Sequence, residues 1–193
     1  MGGLEVLCGP MFSGKTDELI ARARARAALV FKPVVDTRHP SDRVVSHSGA
    51  WIDAVAVSDS TELLEAAGAA EVVAIDEVQF FDAGLAEAVD LLRARGSDVV
   101  AAGLDLDFRR EPFPTTRRLA ESAERVERLE ARCGLCGRPA TVTQRLLNGR
   151  PAPLDDPVVR IGDEELYEPR CEECWAEERL EVPSEAGHTL PLP

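Results

Sequence analysis

Apolar positions in the first half of the chain fall into two patterns, short apolar runs and longer segments with helical spacing. The short runs predict buried strands at residues 4–7, 30–35, 72–75 and 99–104. The longer segments, rich in helix-forming residues, predict helices at residues 17–29, 60–67 and 83–95. Because strands and helices alternate, the pattern predicts an α/β fold with a mostly parallel sheet flanked by helices.

Other stretches have weaker patterns. Residues 51–57 alternate like a strand, and Pro33 favours an edge position or a bulge for its own strand. The polar, irregular residues 36–49 and the proline-containing residues 105–116 predict loops. Residues 117–133 predict a helix followed by an alternating strand.

Length and composition set broad limits on the protein. A chain of 193 residues has room for one α/β domain and a small appendage. Its 45% hydrophobic and 30% charged residues are typical of a soluble globular protein. No apolar run approaches a membrane span, and the N-terminus lacks the basic and long apolar regions of a secretory signal. We therefore expect a cytoplasmic protein with no membrane partner.

The net charge is −13 and is unevenly distributed. Residues 151–193 hold 12 acidic residues and three arginines, a local net charge of −9. An acidic surface repels a polyphosphate backbone, so the charge argues against a nucleic-acid partner without by itself excluding one.

The start of the chain carries a phosphate-binding motif. Residues 9–16 read GPMFSGKT and satisfy G-x-x-x-x-G-K-[ST] between a predicted strand and a predicted helix. Glycines let backbone N–H groups curl around phosphate oxygens, and the helix N-terminus adds partial positive charge. Lys15, one of only two lysines among 22 basic residues, would reach the β- and γ-phosphates, and the Thr16 hydroxyl would bind Mg²⁺. The alternative is a chance glycine turn before a helix.

Two acidic residues follow the predicted strand 72–75. A carboxylate at Asp76 can hold Mg²⁺ opposite Thr16, directly or through a water molecule. The alternative for Asp76 is a helix N-cap or a solvated acid. Glu77 is placed to accept a proton from an attacking hydroxyl or water. Its alternative is a surface position, because adjacent residues of a strand face opposite ways.

Four of the five cysteines form two C-x-x-C pairs, Cys133 with Cys136 and Cys171 with Cys174. Four thiolates from two such turns suit a tetrahedral, structural zinc ion. Disulfides are the alternative, but they do not fit the expected cytoplasmic location. A redox role for C-x-x-C needs a thioredoxin-like context, which is absent.

The 34 residues between the two cysteine pairs have no obvious regular pattern. They contain residues 141–145, residues 158–162 and Tyr167. Clamped by zinc at its base, such a loop could fold over a substrate, exclude water and offer backbone hydrogen bonds to a flat polar ring. The alternative is a plain zinc-ribbon ornament or a subunit contact.

Together these motifs resemble those of the zinc-containing, cytosolic-type (type II) thymidine kinases. The resemblance runs from Gly9 to Cys174. It rests on GPMFSGKT at 9–16, DTR at 36–38, VVSHSG at 44–49, IDEVQFF at 75–81, GLDLDFRREPF at 103–113, the C-x-x-C pairs, TQR at 143–145 and IGxxxxY at 161–167. It implies a RecA-like P-loop domain and a small zinc-ribbon domain, whose loop, the lasso of residues 133–174, closes over the nucleobase.

In that family ATP phosphorylates the 5′-hydroxyl of thymidine, and a glutamate accepts the hydroxyl proton. The resemblance implies catalytic roles for Glu77, Lys15 and Arg38. It implies nucleotide contacts from Gly9, Pro10, Met11, Phe12, Ser13, Gly14, Lys15, Thr16, Asp76, Glu77, Val78 and Gln79. It implies nucleoside contacts from Met11, Asp36, Phe80, Leu104, Phe108, Thr143, Val158, Ile161, Gly162 and Tyr167. It also implies a homotetramer.

The sequence therefore predicts a thymidine kinase that uses Mg²⁺ and ATP and carries a structural Zn²⁺ ion. Its domains are expected at residues 1–128 for nucleotide binding and 129–182 for the zinc-binding lasso, with a poorly ordered tail at 183–193. One rival is a zinc-bearing P-loop ATPase acting on DNA, against which the acidic C-terminal region argues. The other is a GTPase switch, which needs an N-K-x-D motif, whereas the only asparagine, Asn148, precedes Gly-Arg.

Overall fold

The computed structural model of the chain describes residues 1–38, 40, 42–159 and 166–175. Within these ranges the helices are α1 (Lys15–Ala25), α2 (Ser60–Ala67), α3 (Leu85–Ala94) and α4 (Pro114–Ser122). The strands are β1 (Leu4–Cys8), β2 (Leu29–Pro33), β3 (Arg43–Val45), β4 (Trp51–Asp53), β5 (Val55–Val57), β6 (Val72–Ile75), β7 (Asp98–Gly103), β8 (Arg125–Arg128), β9 (Ala131–Arg132), β10 (Pro139–Ala140), β11 (Val142–Leu147), β12 (Arg150–Pro151) and β13 (Tyr167–Arg170).

A six-stranded sheet forms the centre of the fold, with the strand order β5-β2-β6-β7-β1-β8. Every neighbouring pair in it is parallel. The predicted α/β architecture with a mostly parallel sheet is therefore confirmed. Because all six strands run the same way, the loops that leave their carboxyl ends lie along one edge of the sheet.

The sheet is covered on both faces by apolar side chains, as predicted. Alternate residues of each strand point to opposite faces, so Val6 and Ile75 belong to one apolar cluster and Leu7 and Ala74 to the other. On the first face, α2, α3 and α4 supply buried leucines. On the second face, α1 packs with the antiparallel β3–β4 hairpin.

Helix ends follow from local chemistry. The Asp59 side chain accepts hydrogen bonds from the backbone N–H groups of Thr61 and Glu62, both at 2.9 Å, which caps α2. Pro114 opens α4, where its missing N–H is not needed. Within the described ranges no helix has the length and apolar character of a membrane span.

The position predicted for Pro33 is wrong. Its strand, β2, lies inside the sheet between β5 and β6, at neither edge. Proline is tolerated because it is the last residue of β2, while the neighbouring β6 ends at Ile75, which pairs with Phe31.

Four predictions of irregular or single elements also need correction. Residues 36–49 contain β3, and the strand predicted at 51–57 is two strands separated by Ala54. The chain changes partner at that residue, from the hairpin with β3 to the sheet beside β2. The loop predicted at 105–116 ends where α4 begins at Pro114, and the span between the cysteine pairs contains β10 to β13.

Two adjacent leucines of α3 test the packing of the sheet. Leu92 is fully buried and Leu91 is 49% exposed. Leu92→Ala is expected to lower the free energy of unfolding by about 2–5 kcal/mol, because it removes apolar contacts and leaves a cavity. Leu91→Ala, the matched control, is expected to change it by about 0.5 kcal/mol or less. Chemical denaturation measures both, and equal losses would contradict this packing.

Candidate functional site

The loop between β1 and α1 has the backbone of an anion-binding turn. Gly9, Phe12 and Gly14 have positive φ angles of 141°, 62° and 83°. A Cβ atom on Gly9 would lie 2.2 Å from the Leu129 carbonyl oxygen, so this position accepts only glycine. The loop leads directly into the N-terminus of α1, whose free N–H groups and dipole favour an anion.

Lys15 lies beneath this loop and is only 9% exposed. Its Nζ donates to the Pro10 carbonyl at 2.6 Å and lies 3.4 Å from the Ser13 hydroxyl. Burial lowers the pKa of Lys15, while the carboxylates of Glu77 and Asp76 act in the opposite direction. A cation so placed can interact with phosphate oxygens bound by the loop.

Thr16 and Asp76 face each other across the end of the sheet. The Thr16 hydroxyl lies 3.4 Å from Oδ2 of Asp76, and Asp76 is 6% exposed. Burial, together with the adjacent charge of Glu77, raises the pKa of Asp76 to about 7. A hydroxyl and a buried carboxylate form an oxygen donor set that fits a hard divalent cation such as Mg²⁺.

Glu77 turns away from the strand direction in a left-handed conformation, with φ 51° and ψ 43°. This backbone conformation is uncommon for a residue other than glycine. The carboxylate accepts hydrogen bonds from Arg38 and from the Gln79 amide. Both contacts hold Glu77 in place at the edge where β6 ends. Glu77 therefore does not have the surface position considered as its alternative.

Arg38 connects Glu77 to a second acid, Asp36. Its Nε donates to Oδ1 of Asp36 at 2.7 Å, and Oδ2 of Asp36 lies 3.5 Å from Lys32. Burial would raise the pKa of Asp36, but the hydrogen bonds and charge of Arg38 outweigh it and hold the pKa below its usual range. The four residues form a chain of alternating charge that ends at Glu77.

Gln79 fixes the turn that follows Glu77. Its amide oxygen accepts the Leu104 backbone N–H at 3.0 Å, beyond the end of β7. A Cβ atom on Gly103 would lie 2.7 Å from that same oxygen, so the close contact depends on glycine. Val78, between Glu77 and Gln79 in the sequence, is fully buried in the same apolar cluster as Val6 and Ile75.

One cavity of about 670 Å³ brings most of the sequence-predicted site residues together. They are Met11, Phe12, Ser13, Gly14, Lys15, Thr16, Asp36, Arg38, Asp76, Glu77, Gln79, Phe80, Leu104, Phe108, Thr143, Val158 and Tyr167. Gly9, Pro10 and Val78 do not line it, and Ile161 and Gly162 lie outside the described residues. This volume is in the range of small-molecule sites.

The lasso supplies the other wall of this cavity. The Thr143 hydroxyl accepts the Met11 backbone N–H at 3.0 Å, which joins the lasso to the phosphate loop. β11 pairs with β13, which sets Thr143 opposite Pro169 and Arg145 opposite Tyr167. The cavity is therefore bounded by residues from both parts of the chain.

Some cavity residues were not predicted from the sequence. The largest surprise is Arg145, a charged side chain in the middle of β11 that is only 1% exposed. His47 also lines the cavity, with its ring 5.4 Å from that of Phe12, and so does Phe113. The only local signal for Arg145 was its place within the TQR motif.

The four predicted zinc ligands form one cluster. The Sγ atoms of Cys133, Cys136, Cys171 and Cys174 all lie within 4.8 Å of one another. Those of Cys136 and Cys171 are 3.7 Å apart, close to the edge of about 3.8 Å of a tetrahedral zinc–thiolate site and far from the 2.05 Å or so of a disulfide. All four thiols are free.

The surroundings of Cys133 and Cys136 favour thiolates, whereas the neighbouring cysteine sulfurs raise the pKa of Cys174. Burial would raise the pKa of Cys133, but backbone N–H groups of Cys171, Cys136 and Leu135 outweigh it and lower the pKa to about 6. The Arg138 Nε lies 3.4 Å from the sulfur of Cys136. The cluster therefore fits a zinc ion.

Most of the chain matches the model of a known protein family. The model of a family described as thymidine kinase matches residues 2–175. The chain belongs to the thymidine kinase family. This confirms the resemblance seen in the sequence, and it makes the chain a phosphotransferase that acts on thymidine.

The pKa of Asp76 predicts how stability depends on pH in this thymidine kinase. Because the pKa of Asp76 is raised from 3.8 to about 7, the folded chain binds the proton more tightly than the unfolded chain does. The free energy of unfolding therefore falls as pH rises from about 4 to about 7. Asp76→Asn removes this loss, so it is expected to stabilise the ligand-free protein by about 2–3 kcal/mol more at pH 8 than at pH 5.

Chemical denaturation at the two pH values, without nucleotide or Mg²⁺, measures this effect. Asp53→Asn is the control, since its side chain is 85% exposed. A gain for Asp76→Asn that does not depend on pH would contradict the raised pKa.

The cysteine cluster predicts the metal content. The unchanged protein is expected to contain about one zinc ion per chain, and Cys136→Ser to lose it, because three thiolates do not close a structural site. Cys8→Ala changes the one cysteine outside the cluster and is expected to keep the metal. Elemental analysis after gel filtration measures zinc, and equal contents in the two variants would count against the cluster.

Proposed function

We propose that this enzyme transfers the γ-phosphoryl group of Mg²⁺-bound ATP to the 5′-hydroxyl of thymidine, giving thymidine monophosphate. The observation that carries the proposal is the shared cavity. Its one side has the loop backbone, Lys15 and Thr16, and its other side has Phe108 and the lasso residues Thr143 and Tyr167. A site of this kind positions a phosphate chain and a nucleoside against each other.

On the nucleotide side, residues 9–16 would hold the triphosphate. The loop N–H groups and Lys15 would neutralise charge that develops during transfer, which is the main part of catalysis in phosphoryl transfer. Thr16 and Asp76 would hold Mg²⁺, which supplies further charge neutralisation when bound. Val78 and Gln79 are assigned to the nucleotide side through the turn that they form after Glu77.

At the meeting point of the two sides, Glu77 would accept the proton of the 5′-hydroxyl. Its contacts with Arg38 and Gln79 support this role, because they orient the carboxylate before a substrate binds. Arg38 would also approach the phosphates, and Asp36 the sugar.

On the nucleoside side, the base would lie among aromatic side chains. We assign Met11, Phe80, Leu104, Phe108 and Tyr167 to its walls. Thr143 and the backbone near Val158 would make polar contacts with its edge. Ile161 and Gly162 belong to the same assignment, although they lie outside the described residues. Zinc in the cysteine cluster would hold the base of the lasso.

Three wider assignments complete the proposal. The enzyme is expected to work in the cytoplasm as a homotetramer, without a nucleic-acid partner. Residues 1–128 would form the nucleotide-binding domain and residues 129–182 the lasso domain. Residues 183–193, predicted as a poorly ordered tail, lie outside the described residues.

Glu77→Gln tests the proposed chemistry. The variant keeps the size and one acceptor oxygen of the side chain but cannot take up a proton, so kcat is expected to fall about 10²- to 10⁴-fold while the KM values for ATP and thymidine change little. Steady-state measurement of thymidine monophosphate gives all three constants.

Glu87→Gln is the matched control, because Glu87 lies on α3 with its side chain 55% exposed. It is expected to keep the unchanged kcat. Near-normal turnover by Glu77→Gln would show that another group accepts the proton.

A further inference from the structure

Arg145 joins β11 to two other parts of the lasso, residues 156–158 and Tyr167. It lies on β11, and its Nη1 donates to Oδ2 of Asp156 at 2.9 Å and to the Pro157 carbonyl. Its Nη2 donates to the Val158 carbonyl and to the Tyr167 hydroxyl, both at 2.6 Å. One guanidinium group thus binds an acid, two successive backbone carbonyls and a phenol.

The same guanidinium contacts two aromatic rings of the cavity wall. Its central carbon lies 4.1 Å from the ring centroid of Phe108 and 5.1 Å from that of Tyr167. Planar guanidinium stacks on aromatic faces and still donates hydrogen bonds in its plane. The point charge of a lysine cannot satisfy all these partners at once.

The segment that Arg145 binds contains several residues that lack a backbone N–H donor. It is interrupted by Pro151, Pro153 and Pro157, which lack backbone N–H groups. Its backbone bonds include Asp156 N–H to the Pro153 carbonyl, within the segment, and Ala152 N–H to the Arg145 carbonyl, at its start. The Arg145 side chain binds the carbonyl groups of residues 157 and 158 directly.

We propose that Arg145 is a positioning residue for the nucleoside, which holds Pro157 and Val158 and the rings of Phe108 and Tyr167 in their binding arrangement. The proposal rests on the assignment of this side of the cavity to thymidine. Arg145 has no role in proton or phosphoryl transfer. Its loss is therefore expected to affect thymidine binding and to leave the ATP side of the cavity unchanged.

Arg145→Ala, combined with chemical rescue, tests this role. The KM for thymidine is expected to rise about 10- to 100-fold, with kcat within about 3-fold and the KM for ATP within about 2-fold of the unchanged enzyme. Added guanidinium, far below the molar concentrations that unfold proteins, is expected to restore part of the loss with saturation. Urea has a similar shape but no charge, and is expected to restore nothing.

Two further variants complete the kinetic test. Arg145→Lys keeps the charge without the planar fork and is expected to recover little of the thymidine KM. Arg150→Ala, the matched control, removes an exposed arginine of the same lasso from β12 and is expected to change no constant. Zinc content and thermal unfolding establish that each variant is folded.

Hydrogen exchange of the ligand-free protein gives a readout independent of activity. In Arg145→Ala, the backbone amides of residues 156, 158 and 159 are expected to exchange faster than in the unchanged protein. Unchanged exchange and an unchanged thymidine KM would overturn the role of Arg145. Faster exchange with an unchanged thymidine KM would instead overturn the assignment of the lasso to the nucleoside, and equal recovery with urea would overturn the charged, stacked contact.

Discussion

Parallel pairing of β6 with its two neighbours is the constraint on which the candidate site depends. Ile75 pairs with Phe31 of β2 on one side and with Ala101 of β7 on the other, so the chain leaves the sheet at a fixed height. The next two residues are Asp76 and Glu77. In the same sheet β1 ends at the level of Gly103, where the phosphate loop begins. Register in the sheet thus sets the distance between loop and acids before any side chain interacts.

This arrangement buries charged groups, which lowers the stability of the fold. From Lys32 through Asp36 and Arg38 to Glu77, each buried or half-buried charge is next to one of opposite sign. Asp76 stands beside this chain with a long hydrogen bond to Thr16 and a backbone hydrogen bond from Glu77, and burial acts on its pKa most strongly. A carboxylate kept in that state lowers stability without a ligand and is suited to a cation, which is a common compromise at functional sites.

The sequence predicted best what depends on local chemistry and strand order. Residues 9–16, the acids after β6 and the cysteine pairs each carry a recognisable motif. The structure places most of residues 9–16 and both acids at one cavity, and the four cysteines in a separate cluster. The prediction failed where tertiary partners decide. Pro33 is tolerated inside the sheet because β6 ends at Ile75, opposite Phe31. The strands of the lasso form because β11 and β13 pair, although more than a dozen residues separate them in the sequence.

Arg145 shows the same limit within the site. A charged residue in a strand predicts a solvent-facing position, and nothing local indicates that an acid, two carbonyls and two rings converge on it. Only the folded lasso makes its burial favourable, because most of its N–H groups then have partners.

The hydrogen bond from Met11 to Thr143 has a mechanical consequence for the cavity. The phosphate loop and the lasso share this bond, so neither wall can shift alone without breaking it or carrying the other wall along. Thr143 lies one residue before Gln144 and two before Arg145, on strand β11. A shift of the loop backbone at Met11 therefore has a route, through this hydrogen bond and β11, to Arg145 and the lasso segment that Arg145 binds.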